Sequence, residues 1–325
     1  MSSSGEVISS SPHPFGPTVL PGKSYSETYK LSALCDDQTF IQVQMMITNV
    51  GLGDSNAACE LLVLRPGEKP SKTSRRFNKT RWSFSATPRP TLSIGPCRLW
   101  QDGESTGCLI AFDSITASIL IDRPARSQQS PDTIAADKAF KKFYVNEALV
   151  PWTRLSTALR MPRLPEKQLK GFGMLERSRS VGYPKDFSNG WISFYGSTAV
   201  GAGGTQFLAE CHFPASKAPG AIGWTWNDRD HVPKPLSGLQ MVMKRKADGA
   251  HETALPILTE PHAALVISGE QSLFRYSIVD ELGPMLGSVV RLIIGNPVTR
   301  YYRAQAHVSD DQSPVEGILE IMNFE

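Results

Sequence analysis

Apolar and polar side chains alternate at every second position through most of this chain. In residues 39–50 the apolar side chains of Ile41, Val43 and Met45 share one face of an extended run, and polar side chains occupy the other. A period of two residues is typical of a half-buried β-strand. The pattern predicts a strand here, which ends at the Gly-containing turn of residues 51–54.

The same alternation predicts many further short strands on both sides of the middle of the chain. They cover residues 58–64, 81–86, 91–100, 108–122, 191–195, 206–213, 221–226, 239–244, 272–279, 289–294, 299–308 and 317–324. The 26 Gly and 24 Pro residues separate them as turns. Short strands at fairly even spacing are typical of antiparallel sandwiches and barrels. We therefore predict an all-β protein.

Two stretches depart from this alternation. In residues 133–146 the positions Ile134, Lys138 or Ala139, and Phe143 lie near helical spacing, which predicts a short helix or a loop that covers the strands. Residues 1–16 are rich in Ser, Pro and Gly and have no period, so we expect a disordered arm there.

Composition narrows the class of protein. A chain of 325 residues can bury one large core or two ordinary ones. Its 34 basic and 31 acidic residues give a net charge of +3, and this small charge argues against nucleic-acid binding. The start of the chain has no targeting pattern, and no apolar run reaches the roughly 20 residues of a membrane span. We expect a cytoplasmic protein without a membrane span.

Cysteine, histidine and glycine patterns give no metal or nucleotide site. The five cysteines are an odd number without a Cys-x-x-Cys pair, so we expect free thiols in a reducing compartment. The six histidines are scattered, and we predict no metal centre. A P-loop, a dinucleotide-binding Gly-x-Gly-x-x-Gly, a His-Glu-x-x-His and a nucleophile elbow are all absent from the sequence.

The best candidate for a site lies in residues 149–195, where a charged cluster follows a Gly-x-Gly. The cluster contains Glu176, Arg177 and Arg179. Buried beside aromatic rings, Glu176 could act as an acid; paired with either arginine, it would stay ionised and serve the fold. In a regular strand, Glu176 faces one side and the two arginines face the other.

Aromatic side chains and one histidine complete the candidate set. Trp224 and Trp226 share a strand face, where they either fill a core or line a pocket. His212 lies on the opposite face to Cys211, either as a proton carrier in a lumen or as a surface residue. The remaining pocket candidates are Trp82, Tyr183, Trp191 and Tyr195.

Three motifs carry a resemblance to a known family. VPWTRLSTALRMP at residues 150–162, LKGFGMLERSRS at 169–180 and WISFYG at 191–196 look like the central signature of the AttH, carotenoid 1,2-hydratase (hydroxyneurosporene synthase) and Svf1 superfamily of tandem lipocalin-like proteins. That family has a Gly-x-Gly-Tyr-x-Asp-His-x-Trp-Gly run facing a ligand cavity. Here Glu176 stands at the Asp, Arg177 stands at the His, and no Trp-Gly follows.

The resemblance implies two tandem antiparallel lipocalin-like barrels, an apolar ligand and no organic cofactor. We place the arm at residues 1–17, the first barrel at 18–190 and the second at 191–325. Family enzymes hydrate isolated alkenes or cyclise polyenes. Such chemistry needs a neutral carboxylic acid and aromatic faces that stabilise a cation.

Our first hypothesis is a cofactor-independent hydratase, cyclase or isomerase that acts on an apolar terpenoid, polyene or polyketide of secondary metabolism. Glu176, Arg177 and His212 would be catalytic. Arg179 would bind the substrate together with Trp82, Tyr183, Trp191, Tyr195, Trp224 and Trp226. The alternative is a non-catalytic carrier of a lipid or another hydrophobic ligand. A lectin-like or scaffolding protein is a third reading, and a homodimer is an open alternative for assembly.

Overall fold

The computed structural model describes most of the chain. The described residues are 13–18, 24–50, 54–126, 134–137, 142–197, 207–214, 222–227, 234–237, 240–248, 251–259, 265–277, 279–280, 291, 295–308 and 314–324. Within some strands of the second half only the backbone is described.

Twenty-one β-strands make up the described fold. They are β1 Tyr25–Cys35, β2 Phe40–Thr48, β3 Asn56–Leu64, β4 Ser71–Phe77, β5 Trp82–Ser85, β6 Thr91–Ile94, β7 Cys97–Asp102, β8 Ser105–Ala111, β9 Thr116–Ile121, β10 Ile134–Asp137, β11 Lys142–Arg160, β12 Lys167–Val181, β13 Ser188–Ser197, β14 Phe207–Pro214, β15 Ile222–Asn227, β16 Lys234–Ser237, β17 Gln240–Asp248, β18 His251–Thr259, β19 Leu265–Ser277, β20 Pro297–Val308 and β21 Val315–Phe324. Short 3-10 turns lie at Lys79–Arg81 and Pro184–Asp186.

The first sheet contains twelve strands and curls into a nearly closed barrel. Its order is β4-β3-β2-β1-β12-β11-β9-β8-β7-β6-β5, and β10 pairs with β11 off this path. The two ends of this order meet where the indole N–H of Trp82 donates to the Ser55 carbonyl at 2.8 Å. We call this junction the seam.

Alternation explains the core of this barrel. Ile41, Val43 and Met45 of β2 all point into one apolar cluster, as the period of two predicts. Trp82 and Phe84 of β5 pack against the same cluster from the seam. The sequence prediction for these two strands is therefore confirmed, including the face that each buries.

The second sheet contains nine strands and runs from residue 188 to residue 324. Its order is β16-β15-β14-β13-β21-β20-β19-β18-β17. Ile192 and Phe194 of β13 share a buried cluster with Leu319 and Ile321 of β21. The two sheets together give the chain an all-β, lipocalin-like fold, which confirms the predicted fold class.

A third apolar cluster joins the outer faces of the two sheets. Phe40 and Trp152 of the first sheet pack there against Tyr195, Tyr301 and Ile318 of the second. Register shifts in β11 between Ala148 and Thr153 let consecutive residues be buried on both faces of the strand. Both faces of β11 are therefore apolar at this point.

Two sequence predictions fall on segments that the structure describes only in part. The helix or covering loop expected over residues 133–146 is replaced by strand where the backbone is described, because Ile134–Asp137 and the start of β11 form an antiparallel pair. The arm of residues 1–16 lies largely outside the described residues. None of the described helical segments has the length and hydropathy to span a membrane.

Candidate functional site

The charged cluster of β12 is divided between the two faces of the strand. Arg177 and Arg179 point into the first barrel, where Arg177 pairs with Glu27. Glu176 points outward to the second sheet and lies near Lys30. A single strand therefore supplies side chains to two separate polar groups.

The group inside the first barrel, here called the barrel cluster, contains Tyr25, Glu27, Tyr29, Glu147, Arg177 and Arg179. The Arg177–Glu27 pair measures 2.7 Å, and the Arg179–Glu147 pair measures 3.1 Å. Both tyrosine hydroxyls donate to the Glu27 carboxylate. The carboxylate is thus fully engaged within the fold.

Residues 13–18 close the end of the first barrel at which the barrel cluster lies. Arg177 donates to the Gly16 carbonyl at 3.0 Å and to the Thr18 hydroxyl at 2.9 Å. Phe15 is fully buried in the apolar core below. Burial alone would lower the pKa of Arg177, but Tyr29 and Glu27 outweigh it and raise that pKa above its ordinary value. Arg177 therefore serves as an ionised anchor for this segment.

The second polar group, here called the intersheet cluster, contains Lys30, Gln42, Glu176, Tyr195, Tyr301 and Glu320. Lys30 Nζ lies 3.7 Å from the Glu176 carboxylate and 3.3 Å from the Glu320 carboxylate. The Lys30 side chain is 20% exposed, whereas those of Glu176 and Glu320 are 4% and 11% exposed. Water therefore reaches the cluster from the side on which Lys30 lies.

Hydrogen bonds tie the members of this cluster together across the two sheets. Gln42 donates to Glu320 at 3.0 Å, and the hydroxyls of Tyr195 and Tyr301 donate to the same carboxylate at 3.2 and 3.3 Å. Asn146 of β11 donates to Glu176 at 3.0 Å. Residues from five strands thus converge on two carboxylates.

The tyrosines of this cluster stay protonated over a wide pH range. Burial raises the pKa of Tyr195 and of Tyr301 well above the ordinary value, and Lys30 opposes the shift only in part. Because a neutral phenol is a hydrogen-bond donor, both hydroxyls remain donors at neutral pH.

One indole forms an apolar wall beside the intersheet cluster. The ring of Trp152 lies 6.2 Å from the ring of Tyr195 and is completely buried. Its Nε1–H has no hydrogen-bond partner among the described residues. A buried donor without a partner costs free energy, so each one calls for an explanation, for which a bound acceptor is one answer.

The other aromatic candidates lie elsewhere. Trp82 packs at the seam, where its indole N–H donates to the Ser55 carbonyl. Trp191 contacts Tyr144 and Phe324 at ring separations of 6.0 and 6.1 Å. Tyr183 is half-buried in the turn that connects the two sheets, where its backbone N–H donates to Asp186 at 2.9 Å.

Three candidates fall in strands of which only the backbone is described. His212 of β14 lies opposite Trp191 in the pairing with β13. Trp224 and Trp226 lie on β15, opposite Glu210 and Leu208. Their side chains lie outside the described residues, so their predicted roles stay predictions.

Sequence reasoning missed Lys30, Gln42, Trp152, Tyr301 and Glu320. Trp152 lies inside the motif at residues 150–162 that carried the family resemblance, so the sequence did contain a signal for this residue. Lys30 and Glu320 are 290 residues apart and meet only through the packing of the two sheets. No local pattern marks such a pair.

One small cavity lies near this cluster. A space of about 30 Å³ borders Leu64, Leu273 and Ile318, which pack in the same apolar cluster as Trp152. A larger space of about 370 Å³ lies at one end of the first barrel, beside His13, Pro88 and Asp102. Within the described ranges, no three His, Cys, Asp or Glu side chains are placed to hold a metal ion.

Comparisons with known proteins rest on structure alone, since no family model and no curated protein matches the chain. An AttH-type protein of Nitrosomonas europaea gives a TM-score of 0.61 at 10% identity, with 92% of each chain covered. CghA gives 0.58 at 11% identity, with 93% of this chain and 88% of that chain covered. CghA has also been solved with Sch210972.

Kievitone hydratase of Nectria haematococca gives a TM-score of 0.51 at 11% identity, with 92% of this chain and 89% of that chain covered. At these identities the likeness is one of fold. The chain therefore has the lipocalin-barrel fold of the AttH-like group, as the resemblance in its motifs predicted.

Proposed function

We propose that this chain is a cofactor-independent lyase or isomerase that hydrates, cyclises or isomerises an apolar small molecule, with Glu176 as the acid. One observation carries the proposal. Glu176 and Glu320 approach the same Lys30 ammonium from different sheets in a nearly dry setting. Burial disfavours the charged form of a carboxyl group, and a protonated carboxyl can donate its proton to an alkene or a carbonyl.

The remaining members of the cluster have roles that fit this chemistry. Glu176 would protonate one alkene carbon, water would add to the cation formed, and the carboxylate would take back the proton that this water releases. Trp152 would face the cation with its ring. Its N–H, which has no partner among the described residues, would donate to a polar end of the substrate, and the Tyr195 hydroxyl, which donates to Glu320, would accept from that end. Terpenoids, polyenes and polyketides of secondary metabolism are apolar molecules of this kind.

The fold neighbours lend support of a general kind. One of them is a hydratase by name, and another was solved with the small molecule Sch210972. Arg177 and Arg179 do not enter this mechanism, because both are paired inside the barrel.

The first test is the substitution Glu176→Gln, which keeps the shape and removes the acid. Purified protein would be incubated with a panel of polyenes and terpenoids, and products followed by mass spectrometry for addition of water or for isomers of unchanged mass. We expect turnover of any substrate found to fall by about 10²- to 10⁴-fold. The matched control is Glu316→Gln on the exposed side of β21, which should change nothing. Unchanged turnover in Glu176→Gln would remove this residue from the mechanism.

A non-catalytic carrier is the second candidate, and the hydrogen bonding of Glu320 favours it. Gln42, Tyr195 and Tyr301 all donate to this carboxylate, so a structural role would account for it. Solvent extraction of the purified protein and mass spectrometry would separate the two functions. The carrier would be favoured if the wild-type protein and Glu176→Gln retained the same lipid in equal amounts and neither protein changed it chemically.

A further inference from the structure

Positive charge is concentrated in one part of the first barrel, although the chain as a whole is nearly neutral. Residues 65–98 contain nine Lys or Arg and one acidic residue, Glu68, whereas the whole chain has a net charge of only +3. This segment runs from the end of β3 through β4, β5 and β6 into β7. Its charge therefore lies along the seam.

Four of these cations form an exposed group, here called the seam surface, made of Arg76, Lys79, Arg81 and Arg98. The backbone N–H of Gly95 donates to the Arg81 carbonyl at 2.8 Å, which brings the β6–β7 turn against the β4–β5 connection. Arg98 lies near this turn, opposite Ser93. The topology thus places all four at one end of strands β4 to β7.

These four side chains have no carboxylate partner in the part of the chain that the structure describes. Neighbouring cations do have one, since Arg75 pairs with Asp113 and Arg89 pairs with Asp102. The exposed Asp54 is the acidic residue on the adjoining β2–β3 turn. Positive charge is therefore in excess at the seam surface.

We propose that the seam surface docks the protein on an anionic lipid bilayer. Clustered Lys and Arg side chains are attracted to the negative surface potential of such bilayers. Proteins that bind single-stranded nucleic acid add aromatic rings on which bases stack. Here the rings of Phe77, Trp82 and Phe84 turn inward and pack on the barrel core. The surface offers charge without stacking faces, which fits a layer of lipid headgroups.

This docking would extend the proposed function by naming the source of its ligand. An apolar molecule partitions into bilayers, so a protein that rests on one meets its ligand at high local concentration. This supply of ligand from the bilayer rests on the proposed function, whereas docking itself does not. Vesicle binding is measured without ligand and without turnover, so either idea can fail alone.

The test is co-sedimentation of the full chain with phosphatidylcholine vesicles that contain or lack phosphatidylserine. We expect binding to the anionic vesicles only, weakening as salt is raised, because such attraction decays within a Debye length of about 8 Å at physiological ionic strength. Each basic side chain near the surface should contribute about fivefold in affinity. The triple variant Arg76→Gln, Lys79→Gln, Arg81→Gln should therefore bind about 100-fold more weakly.

The matched control removes the same charge elsewhere. Arg160, Arg163 and Lys170 are exposed around the β11–β12 turn, and their replacement by Gln should leave vesicle binding almost unchanged. Circular dichroism would verify that both triple variants fold, and the single variant Lys79→Glu offers a milder change that should also weaken binding. Equal binding to neutral vesicles, an equal loss in the control, or tighter binding to single-stranded RNA than to anionic vesicles would overturn the proposal. Absence of vesicle binding would also overturn it. The role of these cations would then be to keep an edge strand from pairing with another chain.

Discussion

At the scale of single residues, the alternation of β12 decides which charge goes where. Glu176 and Arg177 are adjacent in sequence, but they belong to different clusters on opposite faces of one strand. The sequence alone predicts this separation, because neighbouring side chains of a strand point apart. It does not predict that Glu176 would share Lys30 with Glu320, because that arrangement depends on how two distant sheets pack.

The Arg177–Glu27 pair gives the sharpest prediction at this scale. Glu27→Gln removes one charge of a fully buried pair and leaves the Arg177 guanidinium uncompensated. Breaking one side of such a pair costs about 3–5 kcal/mol. We expect the free energy of unfolding, measured by urea titration, to fall by about that amount.

An exposed pair provides the comparison for Glu27. Glu68 pairs with Arg65 at 2.7 Å, but its side chain is 46% exposed. Glu68→Gln should therefore cost less than about 1 kcal/mol, because water screens the pair. If the two substitutions cost the same, the barrel cluster would not hold residues 13–18 in the way described.

At the scale of elements, the hydrophobic pattern predicts strands well wherever one face is buried. β2 and β5 are examples, and their buried faces were predicted correctly. β4 escaped prediction because it is a polar seam strand that buries no full face. The helix that near-helical spacing predicts over residues 133–146 is wrong, since Phe143 belongs to a strand in which residues on both faces become buried.

Gly173 lies where neighbouring strands leave no room for a larger side chain. Strands β1 and β12 pair directly, and a Cβ built at Gly173 would lie 2.7 Å from the Ser32 carbonyl oxygen and 2.5 Å from the Leu155 side chain. Since the nearest polar obstacle is backbone, it cannot turn away. We expect Gly173→Ala to lower the free energy of unfolding by about 1–3 kcal/mol, the usual cost of overpacking.

A second glycine serves as the reference for Gly173. Gly67 has φ of +72°, and a Cβ there would meet nothing within 4 Å. Asn tolerates this backbone conformation, so Gly67→Asn should leave stability nearly unchanged in the same urea titration. A neutral Gly173→Ala would mean that β1 and β12 are not packed as closely as described.

At the scale of the whole molecule, the two sheets are joined by a polar cluster inside an apolar contact. Glu320 of the second sheet accepts hydrogen bonds from Gln42 of the first, while Phe40 and Trp152 pack against Tyr195 beside it. Alternation predicts each sheet separately, because it reports which face of a strand is buried. It does not report which buried face meets which, so the site between the sheets could not be predicted from the sequence.

Four buried tyrosines link the stability of the whole molecule to alkaline pH. Burial raises the pKa of Tyr25 and Tyr29 in the barrel cluster and of Tyr195 and Tyr301 between the sheets. In the unfolded chain these phenols ionise near a pH of about 10. The folded state keeps their protons, so its stability is complete below that pH and falls as pH rises above it. Each tyrosine should contribute a slope of up to about 1.4 kcal/mol per pH unit.

Urea titrations at a series of alkaline pH values measure this slope directly. The double variant Tyr195→Phe, Tyr301→Phe removes the two ionisable hydroxyls between the sheets and leaves the two in the barrel. The double variant should lose the slope of its two hydroxyls, up to about 2.7 kcal/mol per pH unit, while Tyr25, Tyr29 and the thiols of Cys35 and Cys108, whose pKa burial also raises, keep theirs. Its stability at neutral pH also falls with the lost hydrogen bonds. Until unfolding begins, the phenolate absorbance of the wild-type protein should rise only by the contribution of its other tyrosines. A stability that stays level through this pH range would mean that water reaches these hydroxyls and that the space between the sheets is not dry.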